Sequence, residues 1–181
     1  MKLTSTLLTL TLLIPAVFSS PTPNSKRDLA EYAGIITDLT DATNEFSSWI
    51  SEYSSGLITG PNLLAYSTDL LNAYIDAPGQ IILLPPLSAL DALSLVYPIT
   101  DLLNATADMI DSLIGVKPIL VADGLDDEFI TWLGNLRGEM ERLRDAIVGR
   151  VPGPLADGVY DTVNTIPEEV KKGEDAFMLE I

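Results

Sequence analysis

Apolar residues recur every three or four positions along most of this chain, and one stretch departs from that rhythm by being apolar on nearly every side. Leu29, Tyr32, Ile36, Leu39, Phe46, Ile50 and Tyr53 form a continuous three-four alternation, with the polar Thr43 in its one gap. That spacing puts a single stripe of an α-helix against partner helices. Asp28, three positions before Glu31, supplies a capping box for its start. Gly56 closes the helix, and Gly60-Pro61 opens a second one, predicted over 61–77. Leu63, Leu64, Leu70, Leu71, Tyr74 and Ile75 form its inner face, and Pro78-Gly79 is expected to stop it.

The exceptional stretch runs from Ile81 to Leu103. An apolar crossing, Ile81 to Leu84, leads through Pro85-Pro86 to a helix predicted from Ser88, a cap with Asp91 three residues on, to Gly115. A helix apolar nearly all round must be covered on every side, so it lies inside a protein or a membrane. A spanning helix needs about twenty consecutive, largely uncharged apolar residues. Here Pro85, Pro86 and Pro98 interrupt the run, and Asp91 and Asp101 charge it. The stretch is therefore read as the central helix of a bundle, kinked where Pro98 removes a backbone hydrogen bond. Asp123 is expected to cap a fourth helix with the stripe Leu125, Phe129, Trp132, Leu136, Met140, Leu143 and Ile147, ending at Gly149. After Pro152-Gly153-Pro154 a last helix carries Leu155, Val159, Val163, Ile166 and Val170, with Pro167 kinking or restarting it. Nothing alternates with the period of a strand. The expected fold is all-α: an antiparallel bundle of about five helices with a kinked central helix, the long members each roughly 40 Å in length.

The first nineteen residues add a compartment. Met1-Lys2 followed by Leu7, Leu8, Leu10, Leu12, Leu13 and Ile14, then Ala16-Val17-Phe18-Ser19, has the form of a secretory signal peptide cleaved after Ser19. Residues 20–27 read as a short propeptide or linker ending in the dibasic Lys26-Arg27, a processing site or simply two solvated charges. The single domain then spans 28–181. The chain ends without a long hydrophobic tail, so no lipid-anchor signal is expected. Once secreted and without cysteine, the domain must be held by its core rather than by disulfides. A domain of about this size buries roughly two-thirds of its unfolded surface, which suffices.

Charge narrows the partners. The whole chain has 10 basic against 26 acidic residues; without Lys2, Lys26 and Arg27 the balance is 7 to 26, a formal charge of −19 for residues 28–181. Such a domain repels nucleic acid and anionic membrane surfaces. There is no histidine, which excludes Ser-His-Asp and Cys-His catalysis and the usual zinc sites. Asp126-Asp127-Glu128 and Glu168-Glu169 are the densest acidic clusters, and both fall at helix starts, where carboxylates offset the helix dipole. Asp123 to Glu128 lacks the alternating ligands of a calcium loop. No metal, cofactor or catalytic group is expected. Asn104-Ala105-Thr106 is the one N-glycosylation acceptor, and its neighbours Asp101, Asp108 and Asp111 place Asn104 toward water.

What remains is apolar volume: ordinary core packing, or a pocket that takes a hydrophobic small molecule. If there is a pocket, stripe position selects Leu39, Phe46, Leu71, Leu90, Tyr97, Leu136 and Met140 as its wall, with the Tyr97 hydroxyl available to orient a carboxylate head. The competing expectation is an apolar surface as partner, with Ile81, Ile82, Leu83 and Leu84 as the adsorbing residues.

Several junctions occur in a familiar order: Lys26-Arg27-Asp28-Leu29, Leu84-Pro85-Pro86-Leu87, Tyr97-Pro98-Ile99-Thr100-Asp101-Leu102-Leu103, Val116-Lys117-Pro118-Ile119-Leu120 and Val148-Gly149-Arg150-Val151-Pro152. In that order and spacing the chain resembles the fungal hydrophobic surface-binding protein A family, which includes the antigenic cell-wall galactomannoproteins. The likeness covers residues 27–170. It implies an all-α bundle of about five helices, secreted or held in the cell wall, and the residues themselves point to a non-enzymatic binder. Some relatives take a fatty acid into the bundle interior; others adsorb to hydrophobic surfaces and recruit a secreted polyester-degrading esterase, or serve as wall mannoproteins. The Ser/Thr-rich tail that fixes some relatives in the wall is not seen here, and the chain after Pro167 departs from the family pattern.

Overall fold

The computed structural model describes residues 25–179, with side chains from Asp28 onward. The signal peptide expected at 1–19 lies outside the described residues; Lys26-Arg27 falls in the first turn of the first helix, its side chains also outside them. The described chain is helical throughout: α1 (Ser25–Ser54), α2 (Gly60–Leu83), α3 (Ala89–Ser94), α4 (Val96–Ala122), α5 (Asp126–Val148) and α6 (Gly153–Met178). Residues predicted as one kinked central helix form α3 and α4, which meet at Leu95. Pro98 explains that break, because it has no N–H to offer the Ser94 carbonyl four residues back. Counted as one bent element, α3–α4 makes a bundle of five.

Several helix ends differ from the sequence expectation. α2 passes through Pro78-Gly79, α4 passes Gly115 and Pro118, and α6 is continuous through Pro167. Pro78 and Pro167 are buried, so each ring adds to the core what its missing hydrogen bond costs. Pro118 is exposed, where water can bond the freed carbonyl. α1 begins three residues before Asp28. Asp123, expected to cap α5, instead closes α4 and accepts the Tyr53 phenol proton at 2.7 Å. The Ser88 cap is as predicted: the Asp91 amide donates to Ser88 Oγ at 3.2 Å. Gly56 and Gly124 turn the chain with φ of 73° and 71°, a conformation open to glycine at little cost.

Packing follows a ring. α1 lies against α2, α2 against α5, α5 against α6, α6 against α4, and α4 returns to α1. Successive helices alternate in direction, as short connections require. Ring order nevertheless sets like-directed helices side by side at α1/α4, α4/α6 and α2/α5. The cross-links report this: Lys172 pairs with Asp111 and Lys117 with the Ala176 carbonyl, whereas between α5 and α6 Arg137 pairs with Glu174 and Arg144 with Asn164. At Gly173 a Cβ would stand 3.1 Å from two Ile110 methyls, so α4 and α6 approach closely there.

Because α2 and α4 are not ring neighbours, residues 84–88 and α3 must cross one end of the bundle. This strap is tied on both sides. Tyr32 of α1 donates to the Pro85 carbonyl at 2.9 Å, the Leu87 amide donates to the Arg150 carbonyl at 2.8 Å, and the Arg150 guanidinium donates to the Ile82 carbonyl. α3 then touches α1, α4 and α6.

Candidate functional site

Five helices around one axis leave more room at the centre than four. In this chain that centre is a single apolar cluster fed by every helix. Phe46, Trp132 and Phe129 pack in series, with ring centroids 5.2 Å and 5.8 Å apart. The Trp132 indole N–H donates to the Ser67 carbonyl at 2.7 Å, which satisfies its one polar atom. Met109 and Met140, both buried, add unbranched side chains that repack readily.

Set into this oil is a small group of hydroxyls. Thr43 of α1, Tyr74 of α2 and Thr106 of α4 are each wholly buried. Thr43 gives its proton to the Leu39 carbonyl at 2.8 Å, so Tyr74 is the donor in the 3.0 Å contact between Tyr74 and Thr43 oxygens. Thr106 donates to the Leu102 carbonyl at 2.8 Å and also interacts with the Tyr74 phenol. Burial pushes the Tyr74 pKa up to about 12, against the opposing effect of the two threonine hydroxyls. The group is therefore neutral and hydrogen-bonded, and contains no cation. With its hydroxyl protons committed, the cluster presents oxygen acceptors, and it can orient a protonated carboxyl or another small polar head that donates to them, or to which the phenol turns its O–H from Thr43.

The predicted wall residues divide. Leu39, Phe46, Leu136 and Met140 are buried in the core, and Leu71 is half-buried at its margin. Leu90 and Tyr97 do not belong to it: they are 73% and 79% exposed. Ala92 of α3 and Leu95 after it face inward, and at 100° per residue that phase sends Leu90, Leu93 and Tyr97 outward. The phenol within the bundle is that of Tyr74, so the head-group role assigned to Tyr97 is corrected. A polar residue in the apolar phase of α1 was the available signal for Thr43, and the same holds for Thr106 in α4.

The adsorption candidates divide as well. Ile81 is fully buried, Leu84 is half-buried, and Ile82 and Leu83 are 54% and 86% exposed. Ile81 is thus a core residue, four positions beyond the buried Ala77. Asn104 is exposed and lines a polar groove between α1 and α4 with Asp101, Asp108 and Asn44. Among the described residues, no three acidic side chains gather as a metal site, and no helix is long and apolar enough to cross a membrane.

The ring of five helices with a bent crossover element is a helical-bundle fold that recurs among solved structures. The sequence profile of the Hydrophobic surface binding protein A family matches residues 29–149, and the chain belongs to that family. It is 32% identical over 143 residues to Cell wall mannoprotein 1 of Talaromyces marneffei, covering 79% of this chain and 30% of that protein. To Cell wall mannoprotein 1 of Aspergillus fumigatus it is 28% identical over 171 residues, covering 94% and 58%. The chain thus spans less than two-thirds of the length of either relative. Among solved structures it resembles ligand binding domain 2 of the Penicillium marneffei MP1 protein complexed with multiple arachidonic acids. There the TM-score is 0.76 at 30% identity, over 83% of this chain and 96% of the other.

Proposed function

We propose that this protein is a secreted, non-enzymatic binder of fatty acids, with the acyl chain held along the axis of the five-helix ring and the carboxyl group at Thr43, Tyr74 and Thr106. The observation that carries the reading is the fully buried hydroxyl group inside an otherwise apolar core. It is supported by the likeness to an MP1 domain described with arachidonic acids. Leu39, Phe46, Leu136 and Met140 line the acyl path, and Leu71 borders it. Entry of a ligand displaces side chains of this packed core, and the unbranched Met109 and Met140 repack most readily. A long-chain carboxylic acid extracted into organic solvent from the natively purified protein, and identified by mass spectrometry in stoichiometric amount, is the expected result. Leu136→Trp fills the axis and should abolish interior uptake of added fatty acid with helicity retained. Unchanged uptake by that variant sinks the interior assignment.

A second reading rests on a different observation. Ile82, Leu83, Leu90, Leu93, Val96 and Tyr97 are all exposed, and they give the end of α2, α3 and the start of α4 an apolar surface beside the strap. Adsorption to a hydrophobic solid, with residence in the cell wall or recruitment of a secreted esterase, would use that surface. The intact bundle then adsorbs without opening. A glycan at Asn104 would stand on the α1/α4 face and leave the strap clear.

A further inference from the structure

Seven basic residues lie between Asp28 and Leu179, and nearly all are accounted for. Arg137 pairs with Glu141 and Glu174, Arg142 with Glu139, Arg144 with Asp145, Lys171 with Asp175, and Lys172 with Asp111 and Glu169. Lys117 donates to the carbonyls of Ala176 and Leu179 at the end of α6. Arg150 has no carboxylate partner among the described residues; its guanidinium donates to the Ile82 carbonyl in the last turn of α2. In so acidic a chain, a half-buried guanidinium without an acid partner is an open position for an anion.

Arg150 borders a groove of about 540 Å³ between α2 and the end of α5, lined by Pro78, Ile82, Arg142, Asp145, Ala146 and Gly149. The lining offers an apolar floor from Pro78, Ile82 and Ala146; along the rim stand Arg142, paired with Glu139, the Asp145 carboxylate, paired with Arg144, and the Arg150 guanidinium, and the volume falls in the range of small-molecule sites. We propose that this groove is a second, external site for one long-chain fatty carboxylate, its head on Arg150 and its tail over Pro78 and Ile82 toward the exposed strap. The ligand class rests on the fatty-acid reading above; the site itself is separate from the axis. Charge complementarity selects this occupant. A second copy of so acidic a chain would be repelled, and a neutral lipid would leave the guanidinium without an anion. A carboxylate at Arg150 also competes with the Ile82 carbonyl for the guanidinium, so occupancy loosens one of the ties that hold the strap over the bundle end.

The test uses the secreted protein, hexadecanoate labelled with ¹³C at its carboxyl carbon, and hexadecanol as the uncharged competitor. Bound carboxyl resonances are counted by NMR. Wild type is expected to give, besides any interior resonance, one from a water-exposed, ionised carboxylate. Arg150→Met should weaken that binding about tenfold or more, the scale of a lost charge-assisted hydrogen bond, and Arg150→Lys should restore part of it. Ile82→Asp places a negative charge on the floor without altering Arg150, and should remove the same resonance if the strap tie is not the cause. Leu136→Trp should keep it, so loss of the interior site and loss of this one are read separately. The proposal is overturned if Arg150→Met and Ile82→Asp both leave the resonances unchanged, or if hexadecanol displaces hexadecanoate from the groove at equal concentration.

Discussion

Tyr74 holds a phenol where water does not reach, and its two threonine neighbours are what make that tolerable. An unpaired buried hydroxyl costs about 1–3 kcal/mol, and here the O–H is given to Thr43. Because burial raises its pKa to about 12 from the usual 10, the folded chain holds that proton more tightly than the unfolded chain does. Stability is complete below about pH 10. It falls as the unfolded phenol ionises first, by about 1.4 kcal/mol per pH unit up to about 12. Tyr53 is raised as well, by burial and then by its bond to Asp123, and adds to the loss over the same alkaline range. Denaturant unfolding of Tyr74→Phe should show a loss of roughly 1 kcal/mol at neutral pH, with a shallower decline between pH 10 and 12. An unaltered alkaline slope would mean that the phenol is not buried in solution. Thr43 was legible in the sequence only as a gap in a stripe. Its chemistry required knowing that α2 and α4 bring Tyr74 and Thr106 to the same depth.

Among the elements, α3 is where sequence and structure part most. Periodicity identifies the inner face of a helix by contrast, and from Ile81 to Leu103 the contrast is missing because apolar residues occur in every phase. Leu90 and Tyr97 therefore looked as inward as Leu95 and Ile99. The Ser88 cap and the Pro98 break fix the register, and neither states which side faces the core. Helix existence was plain from the stripes of α1, α2, α5 and α6. Helix ends at Pro78, Gly115 and Pro118 were not, since burial or water can offset a missing backbone bond. The outward face of α3 carries its own prediction. Leu83→Ser with Leu90→Ser removes two of the most exposed apolar side chains, and should reduce adsorption to uncharged polystyrene several-fold while fatty-acid content stays at the wild-type level. Equal adsorption would place the adsorbing surface elsewhere.

For the whole molecule the decisive quantity is charge. Residues 28–181 carry a formal −19, and the ion pairs that relieve it are mostly exposed, where each contributes about 1 kcal/mol or less. Self-repulsion should therefore dominate the salt response. Raising ionic strength from about 0.01 M to 0.15 M shortens the screening length from roughly 30 Å to 8 Å, and the melting temperature should rise by a few degrees; a fall would show that the surface pairs outweigh the repulsion. The ring has a further consequence, for synthesis. Its first helix is closed by its fourth, and α2 finds its second neighbour only in α5. While the chain is being made, the apolar faces of α1 and α2 thus wait for partners many residues downstream, a long-range arrangement of the kind that slows folding. Until α6 has emerged the ribosome carries an unfinished ring, and the same acidic residues that strain the finished bundle are what keep the growing chain apart from its neighbours.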